Sequence, residues 1–362
     1  MPYLLGVDTG GTYTDAVLLR DEIEVISSAK SLTTRHDLAI GIGKAAQAAL
    51  SEAAIDPAKV SLAALSTTLA TNALVEGQGE RVALIFIGFS QGDLDKHGLR
   101  DALASDPVLE LPGGHNHAGN EVCALDTHSI EKWLHELEGV SAFAVASKFA
   151  TRNPAHEIQA MKLIGEVNGR PVSASHQLSS KLNGPKRALT AVLNARLIGM
   201  IARLISRASH ILADIGVQAP LMVVRGDGAL ISASQALEKP IETILSGPAA
   251  SIVGARWLTQ IDHALVSDIG GTTTDVAVLR NGRPEIDPAG AQVGPFRTMV
   301  EAVAMRTTGL GGDSEVHFVS EGLAGGVTLG PKRVLPLSLA AQDYPAEVHD
   351  VLDAQLRNSV PG

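Results

Sequence analysis

Cysteine is almost absent: Cys123 is the only one in 362 residues. An intrachain disulfide is therefore excluded, and so is a metal cage built on thiolates. Aromatic residues make up only 3% of the chain, which removes the stacking platforms on which single-stranded nucleic acid is held. The charge balance excludes the same partner. Lys and Arg number 29 against 39 Asp and Glu, a net charge of −10, and no segment concentrates the basic residues. No run reads as apolar enough to span a bilayer, and Asp8 falls too early for a secretory leader, so no membrane is expected and a cytoplasmic location is. What the chain does have is 45% hydrophobic residues and 36 glycines, the composition of Ala, Val, Leu and Ile layers joined by tight turns. That is an α/β signature.

The length suits two domains, or one fold of two similar halves. Residues 3–9 predict a buried strand running into a Gly10-Gly11 turn, with 14–20 as its return partner and 22–29 as a third strand. Helices are expected over 37–54 (capped by Asp37), 127–137, 154–167 and 187–212, and strands over 60–65, 81–87 and 140–147. The pattern breaks at 178–186, which divides the chain into 1–180 and 181–362. Residues 88–120, rich in Gly, His and Asp, predict an irregular insertion, and 346–356 a last helix.

One motif occurs twice. Asp8-Thr9-Gly10-Gly11-Thr12-Tyr13-Thr14-Asp15 returns as Asp268-Ile269-Gly270-Gly271-Thr272-Thr273-Thr274-Asp275, each copy flanked by the same apolar strands. Paired glycines let a backbone turn tightly and approach an anion, while turn amides and threonine hydroxyls donate to phosphate oxygens. Gly10, Gly11, Thr12 and Thr14, with Gly270, Gly271, Thr272 and Thr273, are thus candidates to hold a nucleotide. A carboxylate beside that anion needs a cation between them, so Asp8 and Asp268 are candidate catalytic residues acting as inner or outer ligands of Mg²⁺. Two such loops facing across a cleft would clamp the phosphates of ATP. The plain alternative is a pair of tight hairpins with threonine turn chemistry.

Two further segments complete the pattern: Leu65-Ser66-Thr67-Thr68-Leu69-Ala70-Thr71-Asn72-Ala73-Leu74-Val75-Glu76-Gly77 and Ser246-Gly247-Pro248-Ala249-Ala250-Ser251-Ile252-Val253-Gly254-Ala255. With the two loops, they resemble the hydantoinase A/5-oxoprolinase family over nearly the whole chain. The resemblance implies an α/β, actin-like ATPase fold of two RNase H-like halves with a nucleotide cleft between them. It also implies ATP and Mg²⁺ used to activate an amide, imide or ketone carbonyl, commonly with a hydantoinase B-type partner subunit, and an oligomer is expected. Members of established activity usually carry His-Gly where this chain has Leu65-Ser66, and they continue into segments that this chain lacks, so it is expected to be a reduced paralogue or part of a larger enzyme.

Thr67, Thr68 and Asn72, with Thr71, form a polar set at a helix start and are candidates for the acceptor pocket. Residues 308–314 hold a third glycine turn, whose Gly311 and Gly312 are candidates to lie against the nucleotide, and the turn at 225–228 competes for the adenosine wall. Gly113-Gly114-His115-Asn116-His117 lacks the further ligands a metal site needs. Two other functions stay open: a nucleotide-dependent switch without catalysis, and a small-molecule kinase, for which Glu76 is the nearby base.

Overall fold

The computed structural model describes residues 2–34, 36–271, 273–319 and 326–358. The first hairpin forms as its alternation dictates. β1 (Tyr3–Thr9) and β2 (Tyr13–Arg20) pair antiparallel and turn Leu5, Val7, Thr14, Ala16 and Leu18 to one buried face. β3 (Glu24–Leu32) extends the sheet beside β2, and α1 (Leu38–Glu52) covers the buried face with Ile42, Ala45, Ala46 and Ala49. Asp37 caps α1 as expected, its carboxylate accepting from Ala39 N at 3.3 Å. β4 (Val60–Thr67) then joins β1 in parallel and leads into α2 (Leu69–Val75).

A second, wholly parallel sheet follows. It contains β5 (Val82–Ile87), α3 (Leu99–Leu103), β6 (Val108–Leu111), α4 (Thr127–Glu136), β7 (Ala142–Ser147), α5 (Ala155–Val167), β8 (Val172–Ala174) and α6 (Ser175–Leu178), with strand order β6-β5-β7-β8. β5 and β7 are buried at every position, which is why both read as unbroken apolar runs. The expectation that 88–120 is irregular is corrected by α3 and β6. Its glycines mark a crossing instead: Gly88 has φ +75°, and a Cβ there would lie 2.3 Å from the carbonyl oxygen of Gly113.

α7 (Gly184–Asp214) runs between the two sheets and contributes to both apolar cores. Serving two faces makes it apolar almost all round. Its most apolar stretch reaches a mean hydropathy of 1.6, so by length and composition it could cross a membrane, contrary to the expectation that no run could; two thirds of that stretch is packed inside the protein. After it, β9 (Leu221–Val224) and β10 (Leu230–Ser232) complete the first sheet in the order β10-β9-β4-β1-β2-β3. Packing therefore runs across residue 180 without a break.

The remainder is built on a second hairpin. After α8 (Ala233–Glu238) and α9 (Ser246–Thr259), β11 (Ala264–Ile269) pairs antiparallel with β12 (Thr274–Arg280). α9 packs Ala249 and Ile252 against Ala277 and Leu279 of β12. β13 (Arg283–Pro284), β14 (Gln292–Val293) and β15 (Phe296–Arg297) are short; β16 (Met305–Thr308) pairs with β12, and β17 (Ser314–Val319) with β18 (Gly326–Arg333). Two helices, α10 (Leu337–Asp343) and α11 (Pro345–Asn358), end the described chain. The architecture is mixed α/β, with parallel strands in two sheets.

Candidate functional site

The two repeated loops fold alike. Asp8 pairs with Asp15 and Thr9 with Thr14 in the first hairpin; Asp268 pairs with Asp275 and Ile269 with Thr274 in the second. Each turn closes with the same bond, Gly10 N to Tyr13 O at 3.0 Å and Gly270 N to Thr273 O at 2.8 Å. None of the four glycines has the left-handed backbone that glycine alone adopts freely; a Cβ on Gly10 or Gly270 would crowd the carbonyl that its own amide reaches, at 3.2 and 3.3 Å, while Gly11 and Gly271 face open space. Both tips thus present bare backbone to whatever approaches, and Thr12 is exposed beside the first. Thr272 lies outside the described residues.

Thr14 does not join the tip. Strand alternation buries it completely, and its hydroxyl meets Thr33 Oγ1 at 3.1 Å and Thr9 Oγ1 at 3.4 Å. Its reading as a phosphate ligand is corrected: it braces the hairpin. The equivalent Thr274 likewise donates to Leu310 O at 2.8 Å. That bond belongs to the third glycine turn, which clasps the second loop: Gly312 N donates to Gly270 O at 3.1 Å and Asp313 N to Gly271 O at 2.8 Å, while Gly311 N donates to Ser314 Oγ at 3.0 Å. The amides of Gly311 and Gly312 are committed to shaping that loop.

α9 gathers the rest. Ser246 Oγ donates to Thr67 O at 2.9 Å and accepts from Thr67 N at 3.3 Å, and Leu245 N donates to Thr71 Oγ1 at 3.0 Å, so the β4–α2 junction is tied to the start of α9. Gly247 faces this junction: a Cβ there would lie 3.5 Å from Thr68 Cγ2 and 3.9 Å from both Asp8 Oδ1 and Ser66 Oγ. One turn later Ser251 donates to Asp268 Oδ2 at 2.7 Å. Residues 247 and 251 share a helix face, so both loop aspartates address one side of α9.

Of the expected pocket residues, Thr67 is buried and its hydroxyl accepts from Leu69 N at 3.1 Å, so it caps α2 and offers nothing outward. Thr68 is half-buried and Asn72 exposed, joined through Asn72 Nδ2 to Thr68 Oγ1 at 3.3 Å. Glu76 closes the far end of α2, where Gln78 donates to it at 2.6 Å.

The electrostatics tie the carboxylates together. Burial pushes Asp8 above the usual aspartate range; a short hydrogen bond from Ser66 opposes this, and the charges of Asp15 and Asp268 add to it. Asp275 is also raised, by burial first and by Asp268, against a 2.6 Å bond from Thr307. Among the described residues no three His, Cys, Asp or Glu side chains form a closed metal cage. A cation that keeps water and phosphate oxygens among its ligands needs only one or two carboxylates, which is the habit of Mg²⁺.

Sequence reasoning missed Ser66, Ser246 and Ser251, whose partners are 58, 179 and 17 residues away. All three lie in the two connecting motifs, Ser66 in the first and Ser246 and Ser251 in the second, but the motifs do not show which partners they reach. Also missed was a buried network at the ends of β7 and β8, where Glu157 accepts from Ser147 N at 2.7 Å, Ser175 Oγ at 2.6 Å and His176 N at 2.9 Å, with Arg187 donating to Ser147 O at 3.1 Å. His115 is buried against His156, ring centroids 4.6 Å apart, and His156 Nε2 meets Glu121 Oε1 at 2.8 Å; among the described residues no group of three ligating side chains is placed to hold a metal. The 225–228 turn packs on α9, where a Cβ on Gly228 would lie 2.8 Å from Val253.

Comparison with known proteins bears on the same regions. Residues 4–168 match the model of the hydantoinase/oxoprolinase N-terminal region, and residues 187–337 the hydantoinase/oxoprolinase model. Caprolactamase subunit alpha of Pseudomonas jessenii is 28% identical over 91% of this chain and 50% of its own length. The acetophenone carboxylase gamma subunit of Aromatoleum aromaticum is 28% identical over 85% of this chain and 46% of its own length. The crystal structure of the ATP-dependent caprolactamase from Pseudomonas jessenii superposes with a TM-score of 0.75 at 27% identity, covering 91% of this chain and 51% of that one. The chain spans about half the length of these relatives.

Proposed function

Because the chain belongs to the hydantoinase/oxoprolinase family, we propose that it is the ATP-binding phosphotransfer part of an enzyme that activates an amide, imide or ketone carbonyl. The observation that carries this is the pair of near-identical loops whose aspartates, Asp8 and Asp268, address one face of α9, with the charge of Asp268 felt at Asp8. The fold we assign is that of an actin-like ATPase, two RNase H-like halves with one loop each. The packing of α7 and β9 with β1–β4 supports drawing the division just ahead of α9 rather than at residue 180.

The donor set fits the cofactors. Asp8, raised by burial first and then by the charges of Asp15 and Asp268, favours a divalent cation beside it, so Asp8 and Asp268 would hold Mg²⁺, directly or through water. Mg²⁺ supplies neutralisation of phosphate charge. Ser66 and Ser251 keep the two carboxylates aimed, each by donating a proton to one of them. The open backbone at Gly11 and Gly271 lets phosphate oxygens approach closely, Thr12 and Thr273 lend hydroxyls, and the turn holding Gly311 and Gly312 fixes the shape of the second loop. Phosphoryl transfer rests on positioning and charge neutralisation.

Thr68 and Asn72, beside Asp8 and Gly247, are the side chains we assign to the acceptor. A kinase acting on a hydroxyl would want a base there, and Glu76 is turned away at the other end of α2, which favours a carbonyl acceptor. The named relatives are subunits, and this supports a multi-subunit enzyme with a hydantoinase B-type partner. A cytoplasmic location suits such chemistry. The test is ADP release from ATP and Mg²⁺ over a panel of lactams, hydantoins and ketones, with and without a co-expressed B-type subunit. Stimulation by one compound class is expected. ATP binding with no turnover under any condition would replace the enzyme with a nucleotide-dependent switch.

A further inference from the structure

A chain of three threonine hydroxyls ends on the first loop. Thr33 follows the last residue of β3; its Oγ1 donates to Gly10 O at 2.9 Å and its amide to Thr12 O at 2.9 Å. A hydroxyl carries a single proton, and that of Thr33 is committed to Gly10 O, so Thr14 Oγ1 is the donor in its 3.1 Å contact with Thr33 Oγ1. The same count makes Thr9 the donor to Thr14 at 3.4 Å. Thr9 and Thr14 are sealed from solvent, which keeps the order fixed. The second loop has its carbonyls held by other means. Gly270 O accepts from Gly312 N at 3.1 Å and Gly271 O from Asp313 N at 2.8 Å, while Ile269, in the place of Thr9, has no hydroxyl to offer.

In a trans peptide the carbonyl and the N–H that follows it point in opposite directions. With Gly10 O held against Thr33 and Gly270 O against Gly312, the amides of Gly11 and Gly271 are turned away from those braces, and among the described residues neither has a hydrogen-bond partner. We propose that Thr33 is a positioning residue for phosphate: acting through Gly10 O, its hydroxyl sets the Gly10–Gly11 peptide so that the Gly11 amide meets a phosphate oxygen of ATP. Without the hydroxyl this peptide is free to turn over and present a carbonyl, which repels phosphate. The first loop thus depends on one side chain, whereas the second is set by main-chain amides that a side-chain change leaves in place. The proposal rests on the nucleotide reading given above.

Thr33→Val keeps the shape of the side chain and the amide bond to Thr12 and loses only the hydroxyl; Thr33→Ser keeps the hydroxyl. The parent and both variants are titrated by calorimetry with Mg-ATP and, separately, with adenosine, which carries no phosphate. Thr33→Val should weaken Mg-ATP by about tenfold or more and leave adenosine within about twofold, and Thr33→Ser should bind both as the parent does. In the parent, Mg-ATP should slow hydrogen exchange of the Gly11 amide by about tenfold, a result that depends on no variant. If the parent binds Mg-ATP, the proposal alone is overturned by unchanged binding in Thr33→Val, by an equal loss of adenosine, by failure of Thr33→Ser to restore binding, or by a Gly11 amide that exchanges as fast with nucleotide as without. No binding of Mg-ATP by the parent overturns the nucleotide reading and this proposal together.

Discussion

Asp8 carries an ionisation penalty that its neighbours only partly relieve. Its folded pKa lies above the unfolded value, so the folded state holds the proton more tightly, and the stability this gives is lost as pH rises through the folded pKa. Asp8→Asn should therefore raise the melting temperature of the metal-free protein at pH 7, with the advantage vanishing below about pH 4, where both states are protonated. The same change should lower ADP release by about 100-fold or more, the scale on which a charge-positioning group acts. Calorimetry and a coupled assay read the two effects separately. Ser66→Ala removes the bond that favours the Asp8 carboxylate, so its activity defect should widen as pH falls; a pH profile parallel to the parent's would contradict this role. That the two loops fold as like hairpins was legible because the motif is written twice. Thr14 was misread because the motif outweighed the plain alternation of Thr14, Ala16 and Leu18, which already placed it inward. The serines that orient the aspartates lie in the two connecting motifs, but their partners are distant in the chain, so the motifs marked the residues and not their contacts.

At the scale of elements, most helices and strands lie within a few residues of their expected ranges, since hydrophobic period and caps such as Asp37 decide them locally. The failures are tertiary. Residues 88–120 looked irregular because Gly88 and Gly113 serve a backbone crossing, and the helix expected over 187–212 gave no sign that two sheets share it. α9 is the element on which the site depends, and Gly247 tests its placement. Its Cβ space is ordinary contact distance, so Gly247→Ala should bind Mg-ATP within about threefold of the parent, whereas Gly247→Leu should drive a side chain toward Thr68 and Asp8 and cost about tenfold or more. Equal binding by both would place the nucleotide elsewhere. Gly226 tests the fold beneath: a Cβ there would sit 2.2 Å from Ile244 O, and Gly226→Ala should destabilise the protein by about 2–3 kcal/mol in urea denaturation.

Over the whole molecule, duplication is the organising fact. One hairpin sits inside a six-stranded sheet and the other at the edge of a smaller one, and α9 brings their aspartates to a common side. The sequence disclosed the repeat but not its asymmetry, because what surrounds each copy is set by elements far away in the chain. The pattern break at 178–186 falls just ahead of α7, which packs into both apolar cores. The claim that both loops serve one nucleotide is tested most directly by titrating Mg-ATP into the parent protein, Asp8→Asn and Asp268→Asn by isothermal calorimetry. Saturable one-to-one binding by the parent, weakened by about tenfold or more in each variant, is the expected result. Unchanged binding by Asp268→Asn would show that the second loop takes no part, and the shared site would fall.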